Sequence, residues 1–177
     1  IGTTAPIGKL HVEGDVRGYV LSSNRYPVGL ETNILFNATN RYNVSQNGSA
    51  SLDLPSLFDG VFQPTYSADG VEPANPLVIT IENLPQEHTE AGAWVGWTTR
   101  FWPPSRFKIE AYDIWNGADQ WRTIADYSTT TYTGSDYLVK LPPGIFSALK
   151  LTIYEGTGDQ GPNGAKRVGL SELFFLH

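Results

Sequence analysis

The chain has no cysteine and no methionine among its 177 residues. Without thiols there is no disulfide framework and no thiolate zinc site, and the redox compartment cannot be read from cysteine usage. The lack of methionine even at position 1 leads to the expectation that this is a piece of a longer chain. Basic charge is also scarce: 12 Lys and Arg stand against 18 Asp and Glu, for a net charge of -6 and a pI of about 4.9. No Lys/Arg run forms a patch, so neither a nucleic-acid partner nor an anionic lipid surface is expected. No apolar run approaches the roughly 20 residues that span a bilayer, and the start "IGTTAPIGKL" lacks the basic and apolar regions of a signal peptide. The chain reads as a soluble module without membrane insertion. Helical periodicity is missing over any ten residues or more.

What is present is turn chemistry and alternation. The 18 glycines, 12 prolines and 12% aromatic residues separate short runs in which apolar and polar residues alternate. "LVITIE" aligns Leu77, Ile79 and Ile81, "FKIEA" aligns Phe107, Ile109 and Ala111, and "LKLTIY" aligns Leu149, Leu151 and Ile153. Each triplet marks one face of a half-buried antiparallel strand. Weaker strands are expected near Tyr19, Leu35, Leu52, Trp94, Ile124 and Val139, with a short helical turn around Pro143 to Ala148. The pattern predicts an all-β fold, an antiparallel two-sheet jelly roll, with residues 1–16 as a connector strand and residues 17–177 as the domain.

Chemistry-bearing patterns are few. "EGTGDQG" (155–161) contains G-x-G-x-x-G, but Pro162, Asn163 and Gly164 follow where a phosphate-binding helix must begin, so it reads as a hairpin loop. His11, His88 and His177 are too dispersed for metal-ligand spacing. No nucleophile elbow occurs, and Glu110 and Asp113 read as solvated acids, so no catalytic residue is assigned. Three N-x-[ST] sequons, at Asn37, Asn43 and Asn47, are ascribed to chance in polar loops.

The last strand, "VGLSELFFLH", is more informative. Glu172 shares parity with Val168, Leu170, Phe174 and Leu176, and a carboxylate on an apolar face needs a cation or several donors. Asp59, in the turn of "SLFDGVFQP", is its candidate companion, and two hard carboxylate ligands suit calcium. The bland alternative makes Asp59 an ordinary turn residue and pairs Glu172 with Lys166, Arg167 or another base.

Four segments together, "LFDG", "LVITIENL", "FKIEAYDIWNGADQWRTI" and "VGLSELFFLH", resemble the discoidin or coagulation factor 5/8 type C family of galactose-binding-like domains, over roughly residues 50 to 177. The resemblance implies a jelly roll, a structural calcium near Asp59 and Glu172, and ligand binding through loops at one end. It departs from the family in lacking paired cysteines and in the insert "PQEHTEAGAW". The first residues, "IGTTAPIGKLHV", are similar to segments of bacteriophage tail fibres. That second resemblance implies a trimeric fibre with a distal receptor-binding domain, on a virion or otherwise extracellular.

The aromatics are candidate platforms for sugar rings. Trp94 and Trp97 have opposite parity, so one of them faces away from the core, while Trp121 reads as a packing residue. Trp102, before Pro103 and Pro104, suits a stiff loop tip that holds an indole out to solvent. Trp115 and Asn116 in "DIWNGADQW" and Tyr66 in "QPTYSADG" are further candidates, with Arg100 and Arg106 as forked donors to hydroxyls or carboxylates. The expected function is non-catalytic recognition of a cell-surface glycan by a fibre tip or adhesin. The alternatives are a carbohydrate-binding module of a polysaccharide-degrading enzyme and a structural fibre or collar domain whose tryptophans are buried between subunits.

Overall fold

The three strongest alternating runs become neighbours in one sheet. The computed structural model describes residues 19–22, 26–29, 33–88, 93–117 and 119–176, and the proposed connector, His11 and His177 lie outside them. A five-stranded sheet has the order β3 (Asn43–Asn47), β5 (Leu77–His88), β10 (Ile145–Gly156), β7 (Pro104–Asp113) and β8 (Gln120–Asp126), every neighbour antiparallel. A three-stranded sheet has the order β12 (Glu172–Leu176), β6 (Trp94–Thr98) and β9 (Asp136–Lys140). Short ladders join β4 (Thr65–Tyr66) to β11 (Gly169–Leu170) and β1 (Tyr19–Ser22) to β2 (Tyr26–Gly29). The chain is an all-β antiparallel sandwich, as its alternation implied. Among the described residues no helix is long and apolar enough to cross a membrane.

Between the sheets, the inward triplets of β5, β7 and β10 meet Val95, Trp97, Leu173 and Phe175, all buried. Trp97, Phe107, Tyr127, Tyr132 and Tyr137 form an aromatic cluster with centroids 5.0 to 6.4 Å apart, mostly edge to face. Ring pairs of this kind add about 0.5–1.5 kcal/mol each beyond their burial. Parity sorts the two tryptophans of β6 as expected, with Trp97 only 1% exposed and Trp94 36% exposed.

Three expected elements differ, two of them because a side chain replaces a backbone partner. No strand forms around Leu35. Asn33 donates from Nδ2 to the Leu173 carbonyl and accepts from the Leu35 and Phe175 amides at Oδ1, which turns the chain into the short helix α1 (Ala38–Arg41). Leu52 is buried without a strand, because the Gln46 amide binds both its carbonyl (2.7 Å) and its N–H (2.9 Å). The helical turn expected over Pro143 to Ala148 is absent. Its residues open β10 instead, with the Ile145 carbonyl accepting from the Ile114 amide.

Trp121 packs, but not in the core. It lies on the outer face of the five-stranded sheet against Tyr112, under the Lys150 ammonium. Nor is Asp113 a solvated acid: its odd offset from Glu110 turns it inward, where it is 4% exposed and bound by Arg122 at 2.6 Å.

Gly96 shows how closely the smaller sheet is packed. A Cβ there would sit 1.9 Å from the Tyr137 carbonyl oxygen on β9, whereas one on Gly117 would touch nothing but would require φ of +71°. Gly96→Ala is expected to lower urea-unfolding stability by about 2–3 kcal/mol through overpacking, and Gly117→Ala by about 1 kcal/mol through backbone strain alone. Equal losses for the two substitutions would contradict this packing.

Candidate functional site

At the end of the sandwich where β7 begins, the 99–103 loop carries one of the candidate rings, Trp102, and brings it to a second, Tyr66. Thr99 braces it, with Oγ1 donating to the Phe101 carbonyl (2.8 Å) and accepting the Phe101 N–H (3.3 Å). Trp102 follows with a left-handed φ of +58°, an unusual conformation for a bulky residue. Its carbonyl accepts the Gly169 N–H at 2.8 Å, so the loop is tied to β11. Tyr66, on the strand paired with β11, meets the Trp102 ring edge-on at 4.8 Å. Gly158 lies so close to the indole that a Cβ there would come within 2.6 Å of it.

Trp102 is therefore not the free-standing indole expected from its prolines. It is half-buried between Tyr66 and Gly158, and the outermost ring of the loop is Phe101, 54% exposed with the exposed Arg100 guanidinium 5.8 Å from its centroid. Phe101 was missed because nothing in "RFWPP" distinguishes the two rings. The left-handed turn at Trp102 decides which one stands out. Arg106 also differs from expectation, since it donates from Nε to the Ser128 carbonyl at 2.7 Å and from a terminal nitrogen to the same oxygen. Its fork clamps the loop after β8.

Trp115 lies elsewhere. It follows β7 while Trp102 precedes it, and ten residues at about 3.4 Å each put the two ends roughly 30 Å apart. Trp115 is half-buried in a 3-10 turn at Trp115–Gly117, fixed by its N–H donating to Asp113 Oδ1 at 2.9 Å. The side chain of Asn116 lies outside the described residues. At Asp113, burial pushes the carboxyl pKa up, but hydrogen bonds from the Trp115 N–H, Arg122 and the Ile145 N–H outweigh it and hold the group below its ordinary value. So Tyr66, Arg100 and Trp102 share one end with Phe101, and Trp115 occupies the other.

Glu172 and Asp59 converge beneath the aromatic end. Glu172 pairs with Thr98, the residue at which β6 gives way to the loop, and Asp59 belongs to the segment that leads to Tyr66. Gly60 has φ of +76°, so the Asp-Gly turn is real and suited to glycine. Glu172 is 0% exposed, and among the described residues neither carboxylate oxygen has a hydrogen-bond partner. Burial, with repulsion from Asp59, pushes its pKa up to about 8, and the nearby Gly60 N–H offsets this only in part. The bases considered as partners are engaged elsewhere: Lys166 with Glu155 at 3.6 Å and Arg167 with the Ala68 carbonyl at 2.9 Å.

A buried acid with both oxygens orphaned beside a second carboxylate fits an oxygen-seeking divalent cation. Among the described residues no group of three or more His, Cys, Asp or Glu side chains gathers, so such an ion would complete its shell with carbonyl, hydroxyl or water oxygens. Asp59 also lines, with Ser56 and Thr65, an open depression of about 280 Å³ whose wall does not include the buried Glu172.

With this geometry in view, comparison with solved structures is informative about the fold. A carbohydrate-binding module of Clostridium perfringens, solved with GlcNAc-α-1,4-galactose, matches at a TM-score of 0.57 and 19% identity, covering 90% of this chain and 100% of that one. Chitosan-binding module 2 from a chitosanase/glucanase of Paenibacillus sp. IK-5, solved with chitotriose, matches at 0.55 and 14% identity, covering 82% and 100%. The family 32 module of C. perfringens NanJ, solved with galactose, matches at 0.50 and 13% identity, covering 80% and 97%. The chain has the galactose-binding-like fold of these modules. No family model and no curated protein matches it.

Glu172 sets a pH signature. An acid whose folded pKa is raised stabilises the fold while protonated in both states, and that contribution is lost as pH climbs from the unfolded value to the folded one. In chelator, the thermal midpoint is expected to fall as pH rises from about 5 to the Glu172 value of about 8. Calcium should raise the midpoint more at the upper pH than at the lower, and Glu172→Gln should flatten both responses. A calcium-independent midpoint at every pH would remove the cation from the site.

Proposed function

We propose that the chain is a non-catalytic glycan-recognition module that binds its ligand at the aromatic loop end, with a structural calcium ion at Asp59 and Glu172. The observation that carries the reading is the group of Phe101, Trp102 and Tyr66 rings held at one end of a rigid sandwich beside the exposed Arg100. Rings offer apolar faces to the C–H surface of a pyranose, and a guanidinium offers forked donors to its hydroxyls or a carboxylate. In this role Trp102 positions the loop and Phe101 meets the ligand. Calcium supplies the positive charge that Glu172 otherwise lacks, fastening the Tyr66 segment to the closing strand.

Two placements of the module in a larger protein each have an observation behind them. The likeness of "IGTTAPIGKLHV" to tail-fibre segments supports a receptor-binding tip on a virion, with homotrimeric assembly. The chitosan-binding neighbour derives from a chitosanase/glucanase, which supports an extracellular module attached to a polysaccharide-degrading enzyme. Solution mass separates trimer from monomer.

A glycan array followed by calorimetry tests the reading. Phe101→Ala is expected to weaken binding about tenfold with the thermal midpoint unchanged, because that ring is 54% exposed. Trp102→Ala should lower both affinity and thermal midpoint, since Tyr66 and Gly158 lose their packing partner. Silence of the unaltered chain across host and plant glycans, with calcium present, would overturn the proposal.

A further inference from the structure

A second depression lies on the outer face of the five-stranded sheet, well away from the aromatic loops. One cross-strand row runs Asn43, Glu82, Ala148, Tyr112, Trp121 over β3, β5, β10, β7 and β8. Its central member is a small alanine between a carboxylate on one side and two rings on the other. The register then slips: β5 spends residues 83 to 86 where β10 spends only Ser147, because Glu82 pairs with Ala148 and Glu87 with Phe146. Such a bulge bends the strand and opens the pleat. The result is an open trough of about 360 Å³ lined by Glu82, Asn83, Tyr112, Trp121, Ser147 and Ala148.

The walls are built and differ in character. Tyr112 and Trp121 meet edge to face at 5.3 Å. Lys150 in the adjacent row places its ammonium 3.8 Å from the indole centroid and 3.8 Å from Glu110, which fixes the ring from one side. On the opposite wall Glu82 accepts from the Asn43 amide at 2.7 Å. Asn83 is exposed with φ of +60°, and among the described residues no hydrogen bond engages its amide. A left-handed asparagine with an unengaged amide, at the lip of a trough that also holds a serine, offers donors and acceptors opposite an aromatic wall.

We propose that this trough is a second sugar subsite that takes one pyranose residue without an acidic substituent, with its C–H surface toward Tyr112 and Trp121 and its hydroxyls toward Asn83, Ser147 and Glu82. The charges argue against an acidic sugar. Lys150 is shared between Glu110 and the indole, so it is not left to neutralise an acidic substituent, and Glu82, whose partner is the neutral Asn43 amide, keeps its negative charge at the trough wall. The subsite rests on the glycan-binding reading and extends it, because two separated subsites on one rigid body let a branched or repeating glycan engage both with a gain in avidity.

The test follows indole N–H resonances of the full chain during titration with galactose, N-acetylglucosamine and chitotriose. Trp121 is assigned through Trp121→Phe and Trp102 through Trp102→Phe. The expected result is saturable shifting of the Trp121 resonance by at least one of the sugars. Asn83→Gly, which removes the amide but keeps the left-handed backbone favourable, should weaken that shift several-fold and leave the Trp102 response unchanged. Ala148→Leu, which fills the trough floor, should abolish it, with an unchanged thermal midpoint reporting that the fold survives. If sugars shift Trp102 but not Trp121, the subsite is wrong and loop-end recognition stands. If Trp121 shifts equally in the chain carrying Asn83→Gly, the assigned contacts are wrong. If no indole responds to any sugar, the subsite and the glycan reading fail together.

Discussion

Glu172 is the constraint on which the working end of this molecule depends. A carboxyl group with no solvent exposure and no hydrogen bond is among the costlier things a protein can bury. Here it sits on the closing strand directly below the loop that carries Phe101 and Trp102, with Asp59 beside it from the segment that carries Tyr66. Two carboxylates this close repel each other unless a proton or a cation lies between them. The same place in the fold is therefore costly for two ionised carboxylates, and the proposed divalent ion would relieve that cost by joining the two segments. The aromatic loops inherit whatever rigidity that junction has.

The rest of the scaffold is ordinary sandwich physics. Inward triplets on β5, β7 and β10 bury a continuous apolar face. The Trp97 and Phe107 cluster fills the space toward β9 and the loops that flank it. Because that core is tightly filled, side chains at the loop end can be held in strained or crowded positions such as the left-handed Trp102. Preformed rings lose little conformational entropy when a ligand arrives, which is how small sugar sites gain affinity from modest contact areas.

Period-two alternation made four strands of the large sheet legible, because strands half-exposed on one face must alternate, but not its edge strand β3, whose "NVSQN" is polar throughout save Val44. It also foretold the division between Trp94 and Trp97 and the unease of Glu172 on an apolar face. What escaped were features set by a single long-range side-chain bond. Gln46 takes the place of a strand at Leu52 and Asn33 ends one at Leu35, and neither leaves a trace in local periodicity. Loop chemistry was half legible. "RFWPPSRF" marked the right loop, but the identity of the outward ring depends on one backbone dihedral, and the engagement of Arg106 depends on a carbonyl 22 residues away. Trp115 was grouped with Trp102 because both sit beside turns, although a ten-residue strand holds them at opposite ends.

The most direct test of the account is a crystal structure of the chain grown with calcium and with the best oligosaccharide from an array. The account predicts an ion bound by both Glu172 and Asp59 and a sugar ring against Phe101 with Arg100 on its polar edge. A sandwich in which Glu172 meets only protein donors, and the sugar is bound with the Phe101 loop untouched, would contradict it.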